Sequence, residues 1–289
     1  CLISDNSITA FFSNIQIIAD YIITKPWNYV PFRVIILLHF VLFFLVVLLL
    51  SRVQISVPGF SIRSLYSFPN IWETFSWIAS WFNLLLAILM IVLAGNEFSY
   101  GTYRQQVMNG LSRMELLQGK VRVILWIALY AVGLVLISSL IFGMIHTRDL
   151  TFGLMIENMQ RLLVYFVQAT AYMALALLIT LIIRNNAVSI LGFIFYFALI
   201  EPVLRRFFPR EARSYFPVRV ISHLIPMPRV LGNPTDESLM NHAGEDQIDL
   251  AAMGIGSPDL PQWLSLSLAV LYIVLFIVCS GLVLNKRNL

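Results

Sequence analysis

The sequence predicts an all-α, polytopic membrane protein with six transmembrane helices. Of its 289 residues, 59% are hydrophobic and only 12% are charged, about half the roughly 25% found in an average soluble domain. So few charged side chains cannot cover a water-soluble surface, which excludes a cytosolic enzyme, a secreted disulfide-stabilised module and a disordered chain. The two cysteines have no metal-ligand spacing. We expect the net charge of +4 to reflect membrane topology, not nucleic-acid binding.

The first predicted element is an amphipathic helix over residues 8–25 that lies in the membrane interface. Apolar residues recur there at helical spacing, with polar residues on the opposite face; the apolar set is Ile8, Phe11, Ile15, Ile18 and Ile22. Lys25 and Pro26 end the pattern, because proline does not continue a helix. Two interpretations are open, an ordinary membrane anchor and a lever with a more specific role.

Six charge-free runs of 16 to 26 residues follow, and a bilayer-spanning helix needs about 20 apolar residues. The predicted spans are 34–51, 74–95, 123–146, 162–183, 186–204 and 262–285. The fifth run is the shortest, so its span extends through Pro202 and Leu204. It forms a tight hairpin with the fourth span around Arg184, Asn185 and Asn186.

The basic residues predict the orientation of these spans. An even number of spans places both ends of the sequence on one side of the membrane. Leaving out the long loop before the last span, which crosses largely regardless of charge, nine basic residues lie on that side and four on the other. Basic residues concentrate in cytoplasmic loops, so we expect both termini to be cytoplasmic. Arg205 and Arg206, close to a span end on the other side, count against this orientation.

The most informative segment is residues 96–121, between the second and third spans. It is too long for a simple turn and too polar to lie in lipid. Ser112 followed by Glu115 predicts a capping box that opens a helix running into the third span, while the helix before it ends near Gly101. We therefore expect a protruding helical hairpin whose tip suits docking to a soluble partner. The alternative is a basic loop that only sets topology.

This hairpin resembles that of the membrane permease subunits of type-two ABC exporters. The shared pattern is Glu-x-x-x-Gly-Thr-x-Arg, then Ser-Arg-x-Glu-Leu-Leu-x-Gly-Lys at the entry to a span. It is carried here by Glu97, Gly101, Thr102, Arg104, Ser112, Arg113, Glu115, Leu116, Leu117, Gly119 and Lys120. The order of spans, the amphipathic N-terminal helix and the large external loop extend the resemblance over most of the chain. One departure is Asn109-Gly110-Leu111, where many relatives have a proline-containing turn.

The resemblance implies that the hairpin is a coupling helix seated in a groove of a separate ATP-binding subunit. Glu97 and either Arg104 or Arg113 would make its polar contacts. A second permease chain, identical or homologous, would complete the path, and the complex would lie in a bacterial inner membrane. ATP and magnesium would bind in the partner, so this chain would bind no cofactor and would not itself be an enzyme. Consistently, Gly119-Lys120 is followed by Val121 and is not a nucleotide-binding loop.

The external loop, residues 205–261, has a different composition from the spans. Acidic residues, arginines and prolines are frequent in it, and prolines this dense preclude one long helix. We expect short helices and turns, and Phe216 to Leu231 is apolar enough to dip back into the membrane. The resemblance implies re-entrant helices and a lid over the exit, whereas a merely solvated loop is the alternative.

Five residues are candidates for the substrate path: His39, Phe82, Asn83, Phe193 and Phe197. His39 is an ionisable residue inside a span, where such residues are often functional. The other four lie on the second and fifth spans, which the resemblance places across the transport path from each other. Ordinary helix packing explains all five equally well. The four histidines are scattered and predict no metal site.

Three other functions stay open at this point. A membrane-embedded enzyme acting on lipids or glycans would use the paired acids of the external loop, Asp236/Glu237 and Glu245/Asp246, although these lie among loop-forming residues. A secondary transporter is disfavoured because the tight connection between the fourth and fifth spans has no counterpart in the first half. A scaffold subunit without a transport role is the third.

Overall fold

The computed structural model describes residues 30–52, 56–57, 60–61, 65–147, 150–228 and 260–286. The predicted interfacial helix, residues 8–25, and residues 229–259 of the predicted external loop lie outside these ranges. The described part is almost entirely helical. Its strands are β1 (Ser56–Val57) and β2 (Phe60–Ser61), which pair antiparallel.

Twelve α-helices are described in these ranges. In chain order they are α1 (Val30–Arg52), α2 (Ile71–Ser80), α3 (Asn83–Ser99), α4 (Thr102–Met108), α5 (Arg113–His146), α6 (Phe152–Ile156), α7 (Arg161–Ile183), α8 (Asn186–Phe195), α9 (Glu201–Arg206), α10 (Arg210–Arg213), α11 (Pro217–Ser222) and α12 (Gln262–Lys286). A π-helix, Tyr196–Ile200, joins α8 to α9 without a break in the helical path.

Five helical segments are long and apolar enough to cross a membrane, or six if one bent pair is counted as a single span. The five are Val30–Arg52, Arg113–His146, Phe152–Ile183, Asn186–Arg206 and Gln262–Lys286, and the bent pair is α2 with α3. This confirms the prediction of a helical chain with about six apolar spans, as expected of an integral, polytopic membrane protein.

The second predicted span, 74–95, is not one straight helix, because α2 and α3 meet at 45°. The Ser80 hydroxyl donates to the carbonyl oxygen of Trp77 at 2.7 Å, and a side chain bonding back to the backbone in this way competes with helix continuation. Both halves pack against α1, α5 and α7, but α5 contacts α2 more extensively, whereas α1 and α7 contact α3 more extensively. Helix α3 also packs against α8.

Helix α7 is the centre of the bundle and packs against α3, α5 and α12. In its segment, 67% of the most apolar window is buried, against 17% to 22% in α1, the fifth span and α12. Alanines on α7, including Ala169, Ala174 and Ala176, are fully or almost fully buried. Small residues let helices approach closely where no hydrophobic effect drives their association. The outer helices keep broad apolar faces that the described chain leaves uncovered.

The spans alternate in direction, so the bundle has two ends. We call the end with α4, Arg184 and the last residues of α12 the hairpin end. The other, with the start of α7 and the end of α9, is the far end. Contacts at the far end include the Trp72 indole donating to the Met155 carbonyl at 2.9 Å and the Arg161–Glu73 ion pair at 3.1 Å.

Candidate functional site

The hairpin of residues 96–121 contains a short helix, α4, that the sequence did not predict. Two glycines with positive φ bound it, Gly101 at +67° and Gly110 at +93°. A Cβ at either position would meet no neighbouring atom, so the left-handed backbone, which glycine adopts without penalty, is the reason for glycine there. At Asn109-Gly110-Leu111, where many relatives of the resembled family have a proline-containing turn, the chain therefore turns at a glycine.

The predicted capping box at the start of α5 is confirmed. The Ser112 amide donates to a Glu115 carboxylate oxygen at 2.7 Å, and the Glu115 amide donates to the Ser112 hydroxyl oxygen at 3.2 Å. Each residue satisfies an amide that the first turn of a helix leaves without a partner. These two side chains thus start the helix that enters the third span.

Glu97 and Lys120 join the two sides of the hairpin. The Lys120 ammonium nitrogen lies 2.5 Å from a carboxylate oxygen of Glu97, and the lysine side chain is only 6% exposed. A buried ammonium is costly unless an opposite charge accompanies it. Glu97 therefore neutralises Lys120 within the chain. The Thr102 hydroxyl also donates to the Glu97 carbonyl oxygen, at 3.3 Å.

Arg113 connects the hairpin to the last span. One guanidinium nitrogen donates to the carbonyl oxygens of Leu284 and Asn285, at 2.8 and 2.9 Å. These carbonyls belong to the last turn of α12, where helical carbonyls lack intrahelical partners and attract a positive charge. In this arrangement the Arg113 guanidinium binds the chain's own helix end.

A third set of contacts joins the hairpin to the turn between the fourth and fifth spans. The Asn186 side-chain amide donates to the side-chain oxygen of Asn96, and the Arg184 guanidinium lies 5.6 Å from the centre of the Phe98 ring. Phe98 in turn stacks on the buried Tyr103 of α4, with ring centres 5.1 Å apart. Burial raises the pKa of the Tyr103 hydroxyl. The base of the hairpin is thereby in contact with α3, α5, α12 and the start of α8.

Gly95 is required for this junction. A Cβ built there would lie 1.8 Å from the side-chain oxygen of Asn186 and 2.9 Å from its Cγ. We expect Gly95→Ala to displace Asn186, break its bond to Asn96 and lower the free energy of unfolding by about 1–2 kcal/mol. Thermal unfolding of the purified protein measures this.

Gly133→Ala is the matched control, because a Cβ at Gly133 inside α5 meets nothing within 4 Å. It should be neutral or stabilising, since alanine is favoured over glycine within a helix by roughly 0.5–1 kcal/mol. Equal unfolding temperatures for the two variants would show that the Asn96–Asn186 junction contributes nothing.

The tip of the hairpin presents a different surface from its base. Arg104 is exposed, and four large apolar side chains of the hairpin are exposed as well: Tyr100, Met108, Leu111 and Met114. Met108 is the most exposed of the four, with 78% of its surface accessible to solvent. Of the predicted coupling residues, Arg104, Ser112 and Glu115 are exposed, the last two bonded to each other in the capping box, while Glu97, Thr102, Arg113 and Lys120 bond within the chain. Sequence reasoning missed the apolar patch, because isolated methionines and leucines give no signal in so apolar a chain.

Three of the five predicted path residues meet at the bend between α2 and α3. His39 is fully buried, and its ring centre lies 6.2 Å from that of Phe82 and 5.8 Å from that of Tyr130. The Asn83 amide donates to the side-chain oxygen of Gln168 at 3.1 Å. Neither ring nitrogen of His39 has a hydrogen-bond partner among the described residues.

Phe193 and Phe197 lie apart from that group, in a second apolar cluster around Tyr172, Ile221 and Phe276. Phe193 is fully buried, and the ring centre of Phe197 lies 5.9 Å from that of Tyr172. The structure therefore divides the predicted path residues between two places, and in this conformation all of them pack against the chain's own helices.

Glu201 is a residue whose structural role the sequence did not reveal. It is only 1% exposed, and its two carboxylate oxygens accept the amides of Val218 and Arg219, each at 2.9 Å. Carboxylates form strong bonds of this kind at the start of a helix, here α11. In the sequence, Glu201 only marks the end of a charge-free run, and nothing in it indicates a bond to residues 218 and 219.

Residues 215–225 are held at the far end of the bundle from several sides. Besides the bonds that Glu201 accepts, the Gln168 amide donates to the Ile221 carbonyl oxygen at 2.9 Å. The Tyr272 hydroxyl donates to the Tyr215 carbonyl oxygen. Within the segment, Val218, Val220, Ile221, Leu224 and Ile225 are buried. This part of the predicted external loop thus forms short helices and returns to the core, crossing the ends of the fourth, fifth and sixth spans.

No protein-family model matches the chain, and no curated protein matches it.

Proposed function

We propose that the chain is the transmembrane subunit of an ATP-driven ABC exporter, coupled to a separate ATP-binding subunit through residues 97–120. The observation that carries the proposal is the contrast within the hairpin. Its base is bonded to several spans by charged and amide side chains, while its tip leaves Arg104 and several large apolar side chains exposed. A docking element that transmits force needs both features.

The side-chain bonds at the base of the hairpin favour movement of the hairpin as one rigid element. Glu97–Lys120 joins the second and third spans, Arg113 reaches the sixth, and Asn186 belongs to the fifth. A displacement of the tip would therefore reach these four spans together. Rigid-body shifts of helices are one of the ways in which proteins convert a local binding event into a global change.

The tip has the chemistry of a protein interface. Arginine, methionine and tyrosine are enriched at interface centres, and Arg104, Met108 and Tyr100 are exposed there together. The partner would bind ATP and magnesium and supply the ATPase activity, and its closure on ATP would move the hairpin. The proposed location is a bacterial inner membrane with both termini cytoplasmic, and the cargo would pass between this chain and a second permease chain.

Met108→Glu and Arg104→Glu, each made alone, test this docking surface. The tagged chain is purified from its own host, and the co-purified ATP-binding chain is quantified by mass spectrometry and ATP hydrolysis. Each variant is expected to lose about 30-fold in bound partner, the effect of removing an interface side chain that contributes about 2 kcal/mol. Unfolding temperatures should not change, because both side chains are exposed.

Met159→Glu is the matched control, since Met159 is exposed at the far end. It should leave the amount of ATP-binding chain unchanged. The proposal fails if no ATP-binding chain co-purifies with the unsubstituted protein. It also fails if the two tip variants retain as much partner as the control.

A further inference from the structure

The segment that follows the fifth span carries an excess of positive charge. Residues 201–228 contain two acids, Glu201 and Glu211, and five arginines, Arg205, Arg206, Arg210, Arg213 and Arg219. Glu201 is buried and accepts two amide bonds from α11. Its carboxylate also interacts electrostatically with Arg205 and so offsets part of this positive charge. The end of α9 keeps an excess of positive charge, with Arg206 exposed and Arg205 and Arg213 half-buried.

Arg205 is the arginine of this segment whose charge acts on both Arg219 and His223. Its Nε is buried and has no hydrogen-bond partner among the described residues. Burial, and after it the charge of Arg205, lowers the pKa of Arg219. Burial, followed by the charges of Arg219 and Arg205, likewise lowers the pKa of His223. Cationic groups thus repel one another here. Glu201 offsets part of that repulsion at Arg205, and a further anion close to Arg205 and the exposed Arg206 would relieve more of it.

The outer side of the same segment is apolar and faces away from the bundle. Phe207 is 81% exposed, and Leu199 and Val203, at four-residue intervals before it, are also exposed. The Arg213 guanidinium donates to the carbonyl oxygens of Phe208 and Arg206, at 2.8 and 3.2 Å. These bonds fold the chain back after α9. Phe207 is therefore held at the end of an apolar stripe that runs along the fifth span.

We propose that this surface is a binding site for an anionic phospholipid, with the phosphate at Arg205 and Arg206 and an acyl chain along Leu199, Val203 and Phe207. Guanidinium groups match the geometry of phosphate oxygens. Lipid tails are as apolar as leucine side chains, so Leu199, Val203 and Phe207 offer an acyl chain a matching surface. A free phosphate ion would use the arginines alone, whereas a phospholipid uses the charge and the apolar stripe together.

Lipid retention tests the site. The full chain is reconstituted in nanodiscs containing equal amounts of phosphatidylglycerol and phosphatidylcholine, released into detergent, and examined for retained lipid by native mass spectrometry. We expect the unsubstituted protein to retain phosphatidylglycerol preferentially. Arg206→Gln should reduce that preference about fivefold, the effect of one basic side chain near an anionic surface. Phe207→Ala should reduce total retained lipid without changing the preference as much.

Arg52→Gln is the matched control, because Arg52 is exposed at the same end of the bundle on a different span. It should retain phosphatidylglycerol like the unsubstituted protein. Arg206 and Phe207 are exposed, so their variants should fold normally, and unfolding temperatures check this. Equal retention by Arg206→Gln and Arg52→Gln would overturn the proposal. So would displacement of the lipid by soluble glycerol phosphate at equal concentration, because the acyl chain would then contribute nothing.

Discussion

Glu201→Gln is expected to lower the free energy of unfolding by about 3 kcal/mol and to loosen residues 217–225 at the far end. The glutamine oxygen can accept one of the two amides of Val218 and Arg219. Its NH₂ group then faces the other amide donor, and that buried donor loses its partner. The substitution changes the size of the side chain little, so lost bonding, not a cavity, causes the effect.

Two measurements separate local release from general unfolding. Thermal unfolding in detergent reports stability. Thiol labelling of a Val220→Cys variant reports release of the segment, because Val220 is buried. The two native cysteines are replaced by serine in this chain. We expect labelling of the Glu201→Gln variant to accelerate well below its unfolding temperature.

Glu157→Gln is the control for this pair of measurements. Glu157 is exposed at the same end of the bundle, so its substitution should change the unfolding free energy by less than about 0.5 kcal/mol. The proposed role of Glu201 is wrong if Glu201→Gln behaves like this control in both measurements.

Glu97→Gln is expected to destabilise the protein by about 3–5 kcal/mol, because it leaves the Lys120 ammonium buried without an opposite charge. Lys120→Met removes the ammonium instead and should cost less, since the remaining carboxylate is partly exposed. The double variant should be more stable than Glu97→Gln alone. The coupling measured by this double-mutant cycle is expected to reach about 1–3 kcal/mol.

The same double-mutant cycle distinguishes a bond between Glu97 and Lys120 within the chain from a contact between Glu97 and a partner subunit. If Glu97 acted mainly by touching an ATP-binding subunit, Glu97→Gln would release the partner without changing the stability of the purified chain. An additive cycle would support that arrangement and contradict the internal one. Substituting Glu97 is therefore a poor probe of docking, and the exposed Arg104 and Met108 are better ones.

Local signals predicted the features of the hairpin that depend on neighbouring residues. Ser112 and Glu115 form their capping box because the bonding groups lie within one turn, and Arg184 to Asn186 form the expected tight turn between two helices. By contrast, the chain position of Arg113 says nothing of its bonds to Leu284 and Asn285. Those partners lie 171 and 172 residues away.

The bend in the second span was unpredictable for a related reason. Residues 74–95 contain neither proline nor a buried charge, and Gly95, the one glycine, lies far from the bend. The two halves share α1, α5 and α7 as neighbours, but α2 lies mainly against α5 and α7 and α3 mainly against α7, a division that only the folded bundle determines. Glu201 is a similar case, since its carboxylate becomes internal only because α11 returns to meet it.

Composition and charge-free runs alone specify a helical chain with about six apolar spans. A bilayer accepts only segments that satisfy their backbone hydrogen bonds internally, and such segments can be recognised from length and hydropathy. Which polar side chains face a partner and which face the chain itself depends on the helices that meet in three dimensions. Only the folded bundle therefore assigns Glu97, Lys120 and Arg113 to internal bonds, leaves Arg104 and Met108 exposed, and buries Glu201.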